Sequence, residues 1–141
     1  MSTKNKIAYE IMSLLLIEGI KTGTAQIITS QAALETGNFT STVFKENNNL
    51  FGMRYPTERP TTATGEKRGY AFYESIGDCV QDFVLYYRNN HYPELWNTID
   101  EYCKAFKEKG YYESPEGLYC NNVKYFYRLY FVKNETERQN I

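Results

Sequence analysis

A mainly α-helical domain with one small β-hairpin flap is the fold class this sequence predicts, and three observations predict it. Five segments place apolar residues at the 3.6-residue spacing of a helix with one buried face. Between them, residues 51–73 lose that period and alternate instead, broken by Pro56, Pro60 and Gly65. A length of 141 residues allows one core and no further module of useful size. Residues 1–132 are therefore read as a single catalytic domain and the polar run 133–141 as a frayed tail.

The first helix is expected over about 4–19, with Ile7, Ile11, Leu14 and Leu15 on one side, until Gly23 and Thr24 interrupt the pattern. The second runs from about 25 to 36. Residues 38–49 read as a polar loop with one turn around Val43 and Phe44, ending in the Asn-rich run that suits a tight, positive-φ turn. Two short strands joined by a long loop follow, the second at Tyr70-Ala71-Phe72-Tyr73. Ser75 caps a third helix with Asp78 three residues on, and Ile76, Cys79, Val80, Phe83, Val84 and Tyr87 form its buried stripe. Pro93 sits at a first-turn position ahead of Leu95, Trp96, Ile99, Tyr102, Cys103 and Phe106, so a fourth helix is expected from Pro93 to Gly110, with Trp96 in the core. Ser114-Pro115 opens the last, with Tyr119, Val123, Phe126 and Tyr130 on one face.

Composition removes several functions. A formal net charge of −1 supplies no basic stripe for nucleic acid and no long-range steering, so a polymeric ligand must be gripped by a groove. Fourteen Tyr, eight Phe and one Trp make the chain unusually aromatic; most are expected in the core, and a subset on a cleft would stack on sugar rings. Cys79, Cys103 and Cys120 match no disulfide or zinc spacing and read as free buried thiols. His91 is the one histidine, in a polar turn, which excludes a histidine-rich zinc site and leaves a Ser-His-Asp or Cys-His centre nothing to build on but that loop. No metal and no cofactor is expected; the chain carries no phosphate-binding Gly loop. Carboxylates and tyrosines are the chemistry that remains.

One carboxylate stands out. Ile28, Ala32 and Glu35 fall at i, i+4 and i+7, which sets Glu35 on an otherwise apolar face, and Gly37 is the natural residue for leaving that helix with positive φ. Glu35 then lies in the last turn, where the helix dipole is negative. Partial burial and that dipole both disfavour the ionised form, giving a carboxyl that holds its proton near neutrality, as a general acid must. The flap supplies the nearest second carboxylates, Glu66 and Glu58, with Glu66 the stronger candidate partner.

The run Gln31-Ala32-Ala33-Leu34-Glu35-Thr36-Gly37 resembles an Ala-Gln-Ala-Ala-Leu-Glu-Ser-Gly motif, and Asn48-Asn49-Leu50-Phe51-Gly52 resembles a second signature, of the glucosaminidases of glycoside hydrolase family 73. These are peptidoglycan hydrolases with a lysozyme-like fold. A third segment, Gly110-Tyr111-Tyr112-Glu113-Ser114-Pro115 with Tyr119 after it, is similar to the family's Gly-Tyr-Ala-Thr-Asp and later Tyr. The three occur in family order across about residues 5–130. Asn38 and Phe39 replace the usual Trp-Gly, and Tyr112-Glu113 replace Ala-Thr, changes that fall on the sugar subsites. The resemblance implies an endo-β-N-acetylglucosaminidase acting on glycan strands of the bacterial wall. Glu35 would be the proton donor, Tyr111 would line the cleft and orient sugar or water, Asn49, Phe51 and Gly52 would shape its floor, and Tyr73 would add a sugar contact. The second catalytic role falls to a flap carboxylate or to the substrate's own N-acetyl group. Muramidase or lytic transglycosylase action on the neighbouring linkage, and a non-catalytic wall-binding or structural subunit, are the other readings.

Lys4 and Lys6 precede an apolar run at 11–17, but Glu10 and Glu18 interrupt it, no small-residue cleavage site follows, and it is too short to span a membrane. The expectation is a chain made in a bacterial cytoplasm without its own signal peptide, as for a bacteriophage lysin or virion component accompanied by other phage virion or lysis proteins. The acceptor patterns Asn38-Phe39-Thr40 and Asn134-Glu135-Thr136 carry no meaning in such a setting.

Overall fold

The structure, a computed structural model, describes residues 1–132; the expected tail at 133–141 and its acceptor pattern lie outside the described residues. Six helices and one hairpin follow in the order α1 (Thr3–Ile17), α2 (Thr22–Glu35), α3 (Thr42–Asn47), β1 (Gly65–Lys67), β2 (Tyr70–Phe72), α4 (Ile76–Asn89), α5 (Ile99–Glu108) and α6 (Glu116–Phe131). This is the mainly α fold with a small β flap expected from the hydrophobic pattern. Among the described residues, no helix is long and apolar enough to cross a membrane.

The architecture turns on α2. Its residues from Ala25 to Ala33 are buried almost without interruption, because α1 packs on one side and α6 on the other. A helix enclosed on several sides must satisfy its polar side chains internally. Thr29 and Ser30 do so by donating to the carbonyls of Ala25 and Gln26, each at 2.8 Å. On α1, Ala8, Ile11 and Leu15 are the buried stripe, and Ser2 caps the helix by accepting from the Asn5 amide at 3.1 Å. The same core continues as an aromatic cluster that joins α4 to α5. Phe106 stacks on Tyr102 and Tyr92 with centroids 4.2 and 4.3 Å away, and Phe83 stacks on Phe51 at 4.1 Å. Each such pair adds about 0.5–1.5 kcal/mol to the burial of its rings.

Two expectations need correction. The loop 38–49 contains a defined helix, α3, which Ser41 caps by accepting from the Phe44 amide at 3.1 Å. The fourth expected helix begins at Ile99, where Thr98 accepts from the Glu101 amide at 3.1 Å, and not at Pro93. The preceding segment is irregular and tied down by tertiary bonds: Thr24 donates to the Glu94 carbonyl at 2.6 Å, and the Tyr87 hydroxyl donates to the Pro93 carbonyl. Leu95 is consequently 64% exposed and forms no part of a buried stripe. Trp96 packs edge-on against Tyr102 and donates its indole N–H to the Tyr87 hydroxyl at 2.9 Å.

The flap is an antiparallel hairpin in which Lys67 pairs with Tyr70. Its two-residue turn, Arg68 and Gly69, has positive φ at both positions, the geometry whose twist matches that of the strands.

Candidate active site

Glu35 is the last residue of α2, and the chain leaves that helix through three consecutive left-handed residues, Gly37 (φ 57°), Asn38 (φ 60°) and Phe39 (φ 66°). Only glycine adopts this conformation freely, so the exit must be fixed by other contacts. Thr36 donates to the Ala32 carbonyl and accepts from the Phe39 amide, both at 2.8 Å; the Asn38 amide reaches the Ala33 carbonyl at 2.7 Å; and Tyr130 donates to the Asn38 side-chain carbonyl. Phe39 itself is buried between Phe44 and Tyr130.

The Glu35 carboxyl is held by a directed chain of hydrogen bonds. Tyr102 donates to Gln31 Oε1, Gln31 Nε2 donates to the Tyr119 hydroxyl at 3.0 Å, and Tyr119 donates to Glu35 Oε1 at 3.0 Å. The other oxygen, Oε2, lies beside Gly52, where an added Cβ would approach it to 3.4 Å. Burial pushes the Glu35 pKa up, and the Tyr119 hydrogen bond works against that shift without cancelling it.

Glu35 lines a cleft of about 360 Å³ together with Phe51, Gly52, Arg54, Arg59 and Tyr111. The Tyr111 hydroxyl donates to the Phe51 carbonyl at 2.9 Å and ties the 110s segment to the cleft floor. Burial and the nearby Glu35 charge hold the Tyr111 hydroxyl protonated, its pKa well above the usual phenol range. Arg59 meets Asp82 at 2.6 Å in an ion pair that is almost wholly out of solvent. Asp82 also accepts from Thr61 at 2.7 Å and from the Tyr73 hydroxyl, so its charge is fully engaged.

A family model described as mannosyl-glycoprotein endo-beta-N-acetylglucosaminidase, glucosaminidase, matches residues 18–131. The chain belongs to the glucosaminidase family of glycoside hydrolases. It is also 35% identical over 69 residues to Protein bax of Escherichia coli (strain K12), a match spanning 49% of this chain and 25% of that protein's length. No solved structure gives a significant match.

The residues expected to act together in this member of the glucosaminidase family are only partly brought together. Glu35, Phe51, Gly52 and Tyr111 converge on one cleft. Glu66 does not join them: it is exposed on β1 opposite Ala71 and contributes nothing to the cleft lining, and Glu58 is likewise exposed and outside it. Tyr73 is fully buried, with its hydroxyl on Asp82, which leaves it no surface for a sugar. Asn49 is 1% exposed and acts on the backbone. Its amide donates to the Met53 and Ala71 carbonyls at 2.9 and 3.0 Å, and its carbonyl accepts from the Phe51 and Met53 amides at 3.2 Å each. It shapes the floor from beneath and stitches it to the hairpin. Arg54 and Arg59 went unnoticed in sequence, and Tyr119, matched there to the family's later Tyr, was given no part in holding Glu35. Gln31 lies one turn before Glu35 on the same face, a signal that the carboxyl has a polar neighbour, whereas Tyr119 is 84 residues away.

Proposed function

We propose that this glucosaminidase is an endo-β-N-acetylglucosaminidase that cuts peptidoglycan glycan strands with Glu35 as general acid. The observation that carries the reading is the directed bond from Tyr119. Since Tyr119 donates to Oε1, a protonated Glu35 must carry its hydrogen on Oε2, the oxygen beside Gly52 and the open cleft. From there the proton passes to the glycosidic oxygen as the bond to C1 breaks.

Among the described residues, Glu35 is the one carboxylate lining the cleft. That favours the substrate's N-acetyl group for the second role. Its carbonyl oxygen attacks C1 as the leaving sugar departs, and the resulting cyclic oxazolinium is opened by water. The Glu35 carboxylate takes up the proton that this water releases and returns to its starting state. Two displacements at C1 leave its configuration unchanged.

The same lone acid favours a second reading, lytic transglycosylase action on the neighbouring linkage, in which a hydroxyl of the substrate attacks C1. Digestion of purified walls and mass spectrometry of the new ends separates the two. A reducing N-acetylglucosamine end is expected, formed as the β anomer in NMR; an anhydro-N-acetylmuramic acid end establishes the second reading instead. Glu35→Gln is expected to lose about 10²-fold or more of the rate, the usual contribution of a general acid. A variant that clears walls at the parent rate would refute both. The setting expected from the sequence, a phage lysin or virion-associated lysin, belongs to this proposal and is checked by immunodetection of the chain in purified virions.

A further inference from the structure

The two arginines of the cleft differ in what their charges already meet. Arg59 is neutralised: both carboxylate oxygens of Asp82 lie against its guanidinium, which also donates to the Pro60 carbonyl at 2.9 Å. Among the described residues, Arg54 meets no carboxylate. Its guanidinium makes one hydrogen bond to protein, from Nη1 to the Gly69 carbonyl at 3.0 Å, and rests on the Tyr70 ring 5.3 Å from its centroid. A guanidinium has five N–H donors, so the one bond to Gly69 leaves most of them without a protein acceptor, in a residue that is exposed.

The charge around the scissile position is therefore unbalanced. Asp82 cancels Arg59, which leaves Arg54, among the described residues, as the cleft guanidinium with no carboxylate against it, in a chain whose formal net charge is −1. A strand of neutral sugars gives a cation no counterpart. A carboxylate does, and the planar fork of arginine matches its two oxygens.

We propose that Arg54, pre-oriented by Gly69 and Tyr70, is a carboxylate-binding subsite on the hairpin-side wall of the Glu35 cleft, selecting glycans that carry an acidic substituent. The inference rests on the glycan-cleaving function proposed above and names the feature of the substrate that this cleft reads. On a peptidoglycan strand the carboxylate has two sources, the lactyl group on the sugar and the attached peptide. Arg54 is a specificity residue and takes no part in proton transfer.

Binding in a Glu35→Gln background tests this without turnover. Dissociation constants are measured for four soluble probes: peptide-bearing glycan strands, strands stripped of peptide so that the lactyl carboxylate is free, the stripped strands with that carboxylate converted to an amide, and neutral N-acetylglucosamine oligomers. The Glu35→Gln protein is expected to bind at least one of the two acidic probes, peptide-bearing or stripped, about tenfold more tightly than the amide, the worth of one charge-assisted contact. That preference should shrink as salt rises. Adding R54A should bring the ratio of acid to amide affinities to about one, and R54K should retain part of it. Which acidic probe loses affinity on R54A, peptide-bearing or stripped, identifies the source of the carboxylate.

Equal loss of affinity for acid and amide probes on R54A would mean that Arg54 merely supports the hairpin, and would overturn the proposal. So would a Glu35→Gln protein that binds neither the peptide-bearing nor the stripped acidic strands more tightly than the amide strands and the neutral oligomers. Neither outcome touches the catalytic reading, which stands or falls on whether Glu35→Gln abolishes turnover of the same strands.

Discussion

The direction of a single hydrogen bond decides what Glu35 can do. Because Gln31 donates to the Tyr119 hydroxyl, the hydrogen of that hydroxyl is free to point only at Glu35 Oε1. Tyr119→Phe removes a bond that favours the carboxylate, so the Glu35 pKa should rise further and the alkaline limb of the pH–rate profile should move to higher pH. An unmoved limb, with only the rate reduced, would show that Tyr119 does not govern this proton. The raised pKa also bears on stability. The folded chain binds the Glu35 proton more tightly than the unfolded chain does. The contribution is therefore full below the ordinary carboxylate value of 4.5 and is lost as pH rises through the raised value. Glu35→Gln carries no buried charge at high pH, so its melting temperature should gain on that of the parent as pH increases through this window. A difference that stays flat with pH would mean that Glu35 is not desolvated. Gly52→Ala places a methyl group on a left-handed residue (φ 65°) and 3.4 Å from Oε2. It should cost about 1–2 kcal/mol of stability, read as a fall in denaturation midpoint, and reduce activity by setting a methyl group in contact with the oxygen proposed to carry the proton. Glu35 itself was legible from the i, i+4, i+7 spacing and the glycine that follows. Its partner was not, since periodicity describes one helix and Tyr119 stands on another.

At the scale of elements, the flap is fixed to the helical body by side chains more than by strand pairing. The hairpin has three residues per strand, too few to be stable alone. The Asn47 amide bonds to the Lys67 carbonyl at 2.7 Å, Asn48 to the Tyr73 carbonyl at 2.9 Å, and Asn49 to the Ala71 carbonyl at 3.0 Å. The asparagine run that reads as a turn in sequence is thus also the seam between the cleft floor and the flap. The long loop before β1 is anchored in the same way, by Arg59 and Thr61 on Asp82 of α4. Asp82→Ala strands the Arg59 charge in a dry site and should cost about 3–5 kcal/mol, measured by denaturant unfolding; a cost under about 1 kcal/mol, the range of exposed pairs, would show the anchor to be dispensable. Glu66→Gln, by contrast, alters an exposed residue outside the cleft and should change stability by no more than about 0.5 kcal/mol, with the wall-clearing rate unaltered. Proline, glycine and alternation made the flap legible. The late start of α5 was not, because the segment after Pro93 is kept from helical geometry by Thr24 of α2 and Tyr87 of α4, contacts that no local pattern encodes.

Across the whole molecule, the family match and the folding unit do not coincide. The match begins at residue 18, one residue beyond the end of α1, yet α1 packs on both α2 and α4. Ile11 and Leu15 are fully buried there, alongside α2, the helix whose last residue is Glu35. Removing α1 would expose the side of α2 that it covers, on a helix buried almost throughout from Ala25 to Ala33. A helix buried all round has no polar face to present to water in exchange. Each large aliphatic side chain deleted from such a core costs about 2–5 kcal/mol, against a total stability of about 5–15 kcal/mol for a domain of this kind. Leu15→Ala should therefore survive as a destabilised fold, with a lower melting temperature and Glu35-dependent activity retained at low temperature. A chain beginning at residue 18 loses Ala8, Ile11 and Leu15 together, and should show neither a cooperative melt nor activity. Cooperative unfolding of that shortened chain in circular dichroism would mean that α1 is an accessory to the core, and that the family-matched segment alone determines the position of the acid.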